Sequence, residues 1–362
     1  MIVQIEPWID ERELDELKRV ITSTFVVEHD LTKEFENLTK EMTGSKYAIA
    51  LTNGTMALFC SLVALGVQAG DEVIIPNITF VATANAVILA GATPVLCEIT
   101  KDTFNIDVSM AHNLVTSKTR AIIPVHLYGQ SADMDEIMSF AKLYDLKVIE
   151  DAAQGVGVSF NGRHVGTFGD VGILSYYGNK TITCGEGGIV LTDDEAIAKR
   201  VYRLKNHGRD VKGTFIHEHI GFNFAFTEMQ AAIGISQMKK LPDIIQKKRL
   251  IHDVYEVELS GVESFKLVYL DKRSSPVFWF TSFLADDAEE LAEYLLDKGI
   301  QTRKFFYPLH KQPCYADKRY IKNIGDNFAI SEDIYSKAIS LPSSFNLSSD
   351  DQKVIIEQVK RF

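Results

Sequence analysis

Between Tyr47 and Asp193, short and almost wholly apolar runs alternate with stretches of helical spacing; the runs are YAIAL, DEVIIP, TPVLCEI, AIIPVHL, KVIEDA, DVGILSYY and GGIVLT. Runs this short and this apolar predict strands of a sheet covered on both faces. The intervening stretches, among them Thr55 to Leu65 and Met134 to Tyr144, suit helical crossovers between mostly parallel strands. After Gly221 the pattern changes. Thr227 to Met238 and Asp243 to Leu259 predict two long helices, FKLVYL and VFWFTSFLA return to alternation, and EELAEYLLDKGI and a stretch near Asp350 to Lys360 are helical again. The expected architecture is α/β: a large domain with a mostly parallel sheet at residues 1–244, and a smaller C-terminal α+β domain at 245–362. No internal repeat or low-complexity linker separates them, so the two parts are expected to pack firmly.

Charge narrows the class of partner. A formal net charge of −11 argues against a broad nucleic-acid or anionic-membrane surface, so any phosphate site must be local. Cys60, Cys97, Cys184 and Cys314 are far apart and form no CxxC pair, which predicts reduced thiols without a zinc knuckle. The first twenty residues turn acidic at once, predicting an extended start and an amphipathic helix rather than a leader. Apolar stretches such as Ala84 to Ala92 fall well short of the roughly 20 residues that span a bilayer. The expectation is a cytoplasmic protein.

Three segments carry candidate chemistry. In AIALTNGTMAL an apolar strand ends in Thr52-Asn53-Gly54-Thr55 and a helix follows; free N–H groups there could cradle a phosphate, or Thr52 or Asn53 could simply cap the helix. Neither GxxxxGK[ST] nor GxGxxG is present. KVIEDAAQ puts Glu150 and Asp151 at the carboxyl end of a strand, where open α/β sheets place their ligand crevice. Alternation lets only one of them face it, and either could instead be solvated or cap a helix. In GDVGILSYYGNKTITCGEGG the loop lysine Lys180, bordered by Tyr176 and Tyr177, is either solvated or held in a desolvated pocket where its amine becomes nucleophilic.

Taken in order, phosphate turn, strand-end carboxylate and loop lysine, with Asp151 and Lys180 29 residues apart, make a pattern. Together with GDEVIIPNITFVATANAV, PVHLYGQSADM, GFNFAFTEMQAAIG and FYPLHKQPCY, the chain resembles the DegT/DnrJ/EryC1/StrS sugar aminotransferases over nearly its whole length. The resemblance implies the fold type I architecture of pyridoxal 5'-phosphate (PLP) enzymes. It also implies site roles: Gly54, Thr55 and Ser175 on the cofactor phosphate, Phe80 stacked on its ring, Asp151 on the ring nitrogen, and Gln154 on the ring hydroxyl or phosphate edge. Lys180 would hold the cofactor as a Schiff base, and Asn223 would reach the phosphate of a neighbouring subunit, giving a homodimer with shared active sites.

By the same resemblance the amino donor is L-glutamate. The string SYYGNKTITCGEGG looks most like the branch that makes GDP-perosamine, by aminating C4 of GDP-4-keto-6-deoxy-mannose. Two departures bear on the acceptor: Ala225 stands where relatives commonly have Arg, and Lys304 where the perosamine branch commonly has Pro. Adding an ammonium and removing a guanidinium near the pocket would alter anion recognition, which leaves open a smaller phosphorylated ketone, a cyclitol ketone or another keto sugar. The related deoxysugar dehydratases carry His at the Lys180 position, and a PLP-sensing regulator would need a DNA-binding domain. His126 and His310 are either near the active site or structural. His217 and His219 lack ligand spacing, so no metal is predicted.

Overall fold

The computed structural model describes residues 1–210, 215–323 and 327–362. Its principal sheet contains β1 (Tyr47–Leu51), β2 (Glu72–Pro76), β3 (Thr93–Cys97), β4 (Thr119–Ile122), β5 (Lys147–Asp151), β6 (Val171–Ser175) and β7 (Gly188–Thr192). The order is β1-β7-β6-β5-β4-β2-β3, and a two-residue edge strand, Lys322–Asn323, follows β3. Strand β7 runs antiparallel to both neighbours; the other pairings are parallel. The apolar runs are buried on both faces because alternate side chains enter two separate cores. Ile74, Val148 and Leu174 lie in one cluster, while Val73, Ile149 and Ile173 lie in the other.

A second, antiparallel sheet is built from Phe265–Leu267, Thr281–Ala285, Ala338–Leu341 and Arg303–Lys304, in that order. Its own core gathers Tyr255, Phe283, Leu295, Ile339 and Ile355. The helices expected at Thr227 to Met238 and Asp243 to Leu259 are one helix, Glu228–Leu259, with Pro242 inside it. Pro242 removes one N–H donor, and an interior proline costs about 3 kcal/mol. Burial on both sides of it holds the helix together: Leu241 and Ile244 belong to the principal-sheet core that contains Ile74, and Ile251, Tyr255 and Leu259 to the core of the second sheet. A division of the chain near residue 245, which we retain as a proposal, therefore falls within a continuous helix.

The two parts also interleave. Edge strand Lys322–Asn323 comes from the C-terminal third, and Ile2 bridges to Ile300. Among the described residues no helix is long and apolar enough to cross a membrane.

Candidate functional site

The carboxyl ends of β1, β2, β5 and β6 converge on a cavity of about 650 Å³. After β1 the helix Gly54–Ala64 begins, capped by Asn53, whose Oδ1 accepts from the N–H of Met56 at 3.0 Å. With that bond and the Ala57 N–H bond to Asn53 made, the first N–H groups, of Gly54 and Thr55, have no partner among the described residues and lie at the positive end of the helix. Capping and cradle thus coexist in one turn. The turn sits tightly: a Cβ on residue 54 would stand 3.2 Å from Ser175 Cβ, and one on Gly188 would lie 2.4 Å from the Asn53 carbonyl carbon. Glycine at 54 brings the helix start beside the Ser175 hydroxyl at the end of β6.

Strand alternation divides the two carboxylates of β5. Asp151 lines the cavity, where Oδ2 accepts from Thr83 Oγ1 at 2.8 Å and Oδ1 from Ala153 N–H at 3.1 Å. Burial pushes its pKa above the usual carboxylate range, against the opposing pull of these bonds and of Lys180. Glu150 turns the other way, accepting from the N–H groups of Gly166, Phe168 and Gly169 at 2.6–2.8 Å and pairing with His126 Nε2 at 3.0 Å. His126 Nδ1 accepts from Ala132 N–H, so the hydrogen is on Nε2. His126 is a structural residue. His310 is tied to Asn77 and Glu332 through its two ring nitrogens and likewise makes no approach to the cavity.

Lys180 also lines the cavity, and among the described residues its amine makes no hydrogen bond; Nζ lies 3.9 Å from the centroid of the Trp279 ring. Burial lowers its pKa from 10.5 to about 8; Asp151 opposes this shift and Arg303 adds to it. Phe80 presents its ring to the same space and is 55% exposed. Gln154 lines the cavity while its Oε1 accepts from Tyr128 N–H at 2.6 Å. Of the residues implied by resemblance, Gly54, Thr55, Phe80, Asp151, Gln154, Ser175 and Lys180 are together. Asn223 is not among them: it is exposed and outside this cavity, its backbone bridged to Asn206.

Two expectations need correction. Lys304 does not bring an ammonium into the cavity; it pairs with Glu289 at 3.0 Å. Its strand neighbour Arg303 faces the cavity instead, as alternation demands. The spacing around His217 and His219 showed no ligand cluster, yet the fold brings Asp210, Glu218 and His219 to within 4.8 Å of one another, all exposed. Reading the sequence also missed Thr83, Trp279 and Arg303. Thr83 stands four residues after Thr79 in NITFVAT, and their hydroxyls are 3.0 Å apart, a spacing that helical geometry could have flagged. Arg303 comes from a strand of the second sheet and Trp279 from the segment just before another of its strands, Thr281–Ala285, and no local signal marks them.

The description of the family model that matches residues 7–360 is "DegT/DnrJ/EryC1/StrS aminotransferase family". GDP-perosamine synthase of Escherichia coli O157:H7 is 38% identical over 99% of this chain and 97% of its own length. The enzyme of the same name from Vibrio cholerae is 35% identical, covering 100% of this chain and 99% of its own. Among solved structures, NtdA from Bacillus subtilis with bound cofactor PMP superposes with a TM-score of 0.88 and 31% identity, over 97% of this chain and 81% of that one.

Proposed function

The chain belongs to the DegT/DnrJ/EryC1/StrS aminotransferase family and is a PLP-dependent sugar aminotransferase, and from that premise we propose that it moves the amino group of L-glutamate to a nucleotide-linked 4-keto-6-deoxyhexose of the GDP-4-keto-6-deoxy-mannose type. The observation that carries the residue assignment is one cavity lined both by Lys180, whose amine makes no hydrogen bond among the described residues, and by Asp151, a buried carboxylate fixed by two donors.

The residues present fit PLP. Free N–H groups of Gly54 and Thr55, with the Ser175 hydroxyl alongside, suit a phosphate. Phe80 offers a flat apolar face to the ring, and Gln154, which lines the same cavity, would contact the ring hydroxyl or the phosphate edge. A carboxylate as buried as Asp151 calls for a cationic partner, which a protonated pyridine nitrogen provides. When bound, the cofactor supplies an aldehyde that captures amines and a ring that takes up the electron pair left when a C–H bond breaks. Asp151 would keep the ring nitrogen positive. Lys180 Nζ would hold the cofactor at rest and, when free, would take up and return the proton at the Cα that bears the amine. A depressed pKa suits that duty, because an amine near 8 is deprotonated in a useful fraction at neutral pH.

Asn223 serves the active site of a second subunit in this reading. Its exposure among the exposed apolar residues Ile220 and Phe222, with Phe25, Val26 and Val27 also exposed, supports a homodimer. Borohydride reduction of the loaded protein followed by peptide mapping tests the assignment: the pyridoxyl group is expected on Lys180, and a label on another lysine overturns it. For the acceptor, protein converted with glutamate is mixed with candidate ketones. Return of the starting absorbance with GDP-4-keto-6-deoxy-mannose supports the proposal, and response only to a small phosphorylated ketone refutes it.

A further inference from the structure

Trp279 is reached from three sides by groups that concern Lys180. Its Nε1–H donates to the carbonyl oxygen of Asn179, the residue before the lysine, at 2.6 Å. Its ring centroid lies 3.9 Å from Lys180 Nζ, a distance at which a cation is attracted to an indole face. Its own carbonyl oxygen accepts from Lys248 Nζ at 3.0 Å, and Lys248 also donates to Ser343 O at 3.0 Å. The indole is 2% exposed and stacked on Phe280 at 3.9 Å between ring centroids, so it has little freedom to move.

The geometry points to Trp279 as the positioning residue of Lys180, with the N–H fixing the loop that carries the lysine and the ring face setting where its amine rests and how readily it holds a proton. The inference rests on the assignment of Lys180 above. It extends that assignment, since Trp279 begins in the second sheet's half of the chain and the loop it grips belongs to the first. Lys248 is what makes the grip rigid. It lies in the middle of the helix Glu228–Leu259, is fully buried, has no acidic partner among the described residues, and spends its donors on two backbone carbonyls. Groups that bear on the charge of Lys180 are Asp151, which favours the ammonium, and Arg303, which disfavours it; Tyr177 and Glu186 line the same cavity.

The test separates the ring from its N–H. In full-length protein freed of cofactor, the pH dependence of Lys180 acetylation, followed by peptide mass mapping, is expected to have its midpoint at about 8. Trp279→Leu should lower that midpoint by about one unit, the size of a desolvated cation–π contact. Trp279→Phe keeps a ring and should restore most of the midpoint, while turnover remains reduced about tenfold because the loop has lost its donor. A folded Trp279→Leu protein with the wild-type midpoint and wild-type turnover overturns the proposal. Should the leucine variant fail to fold, Trp8→Phe leaves Trp279 as the sole indole of a chain with two tryptophans. Its fluorescence is expected to titrate near pH 8 and to stop doing so when Lys180→Met is added. Titration that survives that change, or none in the parent, refutes the contact. Mapping of the cofactor to another lysine would end the assignment of Lys180 and leave these measurements able to judge Trp279.

Discussion

Glu150 and Asp151 are adjacent on one strand and present their carboxylates to opposite sides of the sheet, the first to three backbone N–H groups and His126, the second to the cavity. Their substitutions should therefore fail differently. Asp151→Asn is expected to keep the fold and lose about two orders of magnitude in turnover, because a neutral amide cannot hold the ring nitrogen positive. Glu150→Gln should cost about 2–4 kcal/mol in stability by weakening several charge-assisted bonds, with activity per folded site largely kept. Denaturant titration and turnover together decide; the reverse pattern would show that the wrong carboxylate was chosen.

Gly54 offers a steric test. Gly54→Ala places a methyl 3.2 Å from Ser175 Cβ, so cofactor affinity is expected to fall about tenfold with little change in apoprotein stability. Adding Ser175→Gly opens the space again. If the crowding argument holds, the double variant binds more tightly than Gly54→Ala alone, and equilibrium titration with cofactor shows whether it does.

The depressed pKa of Lys180 makes a prediction about pH. A lysine with a folded pKa of about 8 and an unfolded value of 10.5 binds more protons when unfolded, so unfolding becomes less favourable as pH rises between those values. Below pH 8 the penalty is present in full; by about pH 10.5 it has gone. Cofactor-free Lys180→Met should thus exceed the wild type in stability at pH 7, with the gap closing across that window. Lys248, lowered to about 7 by burial, contributes to both proteins alike and cancels. A gap that stays constant with pH would contradict the burial of Lys180.

Mixing Asn223→Ala with Lys180→Ala subunits tests the shared site. Each inactive alone, they should recover on the order of a quarter of wild-type specific activity after free exchange, since half the dimers are hybrid and each hybrid has one intact site. No recovery despite proven exchange, or full activity in a sedimenting monomer, removes the shared-site model.

What the sequence revealed follows from local periodicity. Short apolar runs located the strands of the principal sheet, alternation divided Glu150 from Asp151, and helical spacing located Met134–Tyr144 to the residue. Lys180 was legible only through the ordered context around it. Long-range arrivals were not legible: nothing near Trp279 or Arg303 announces that they reach a cavity formed at the strand ends of the principal sheet. The break read between Met238 and Asp243 is absent because burial on both sides of Pro242 carries one helix through it. The edge strand Lys322–Asn323, at two residues, is too short to leave any periodic trace.

That edge strand and the bridge from Ile2 to Ile300 also constrain how the protein comes into being. On a ribosome the first seven strands of the principal sheet emerge well before the residues that complete its edge, and the amino terminus waits for a partner three hundred residues away. A nascent chain of 244 residues would display an uncovered β3 edge and only the first half of the long helix, its Tyr255 and Leu259 not yet made. Interleaving of this kind makes late-synthesised residues guardians of early-synthesised ones, so truncations and gene fusions at the carboxyl terminus should be felt at the amino-terminal end of the fold.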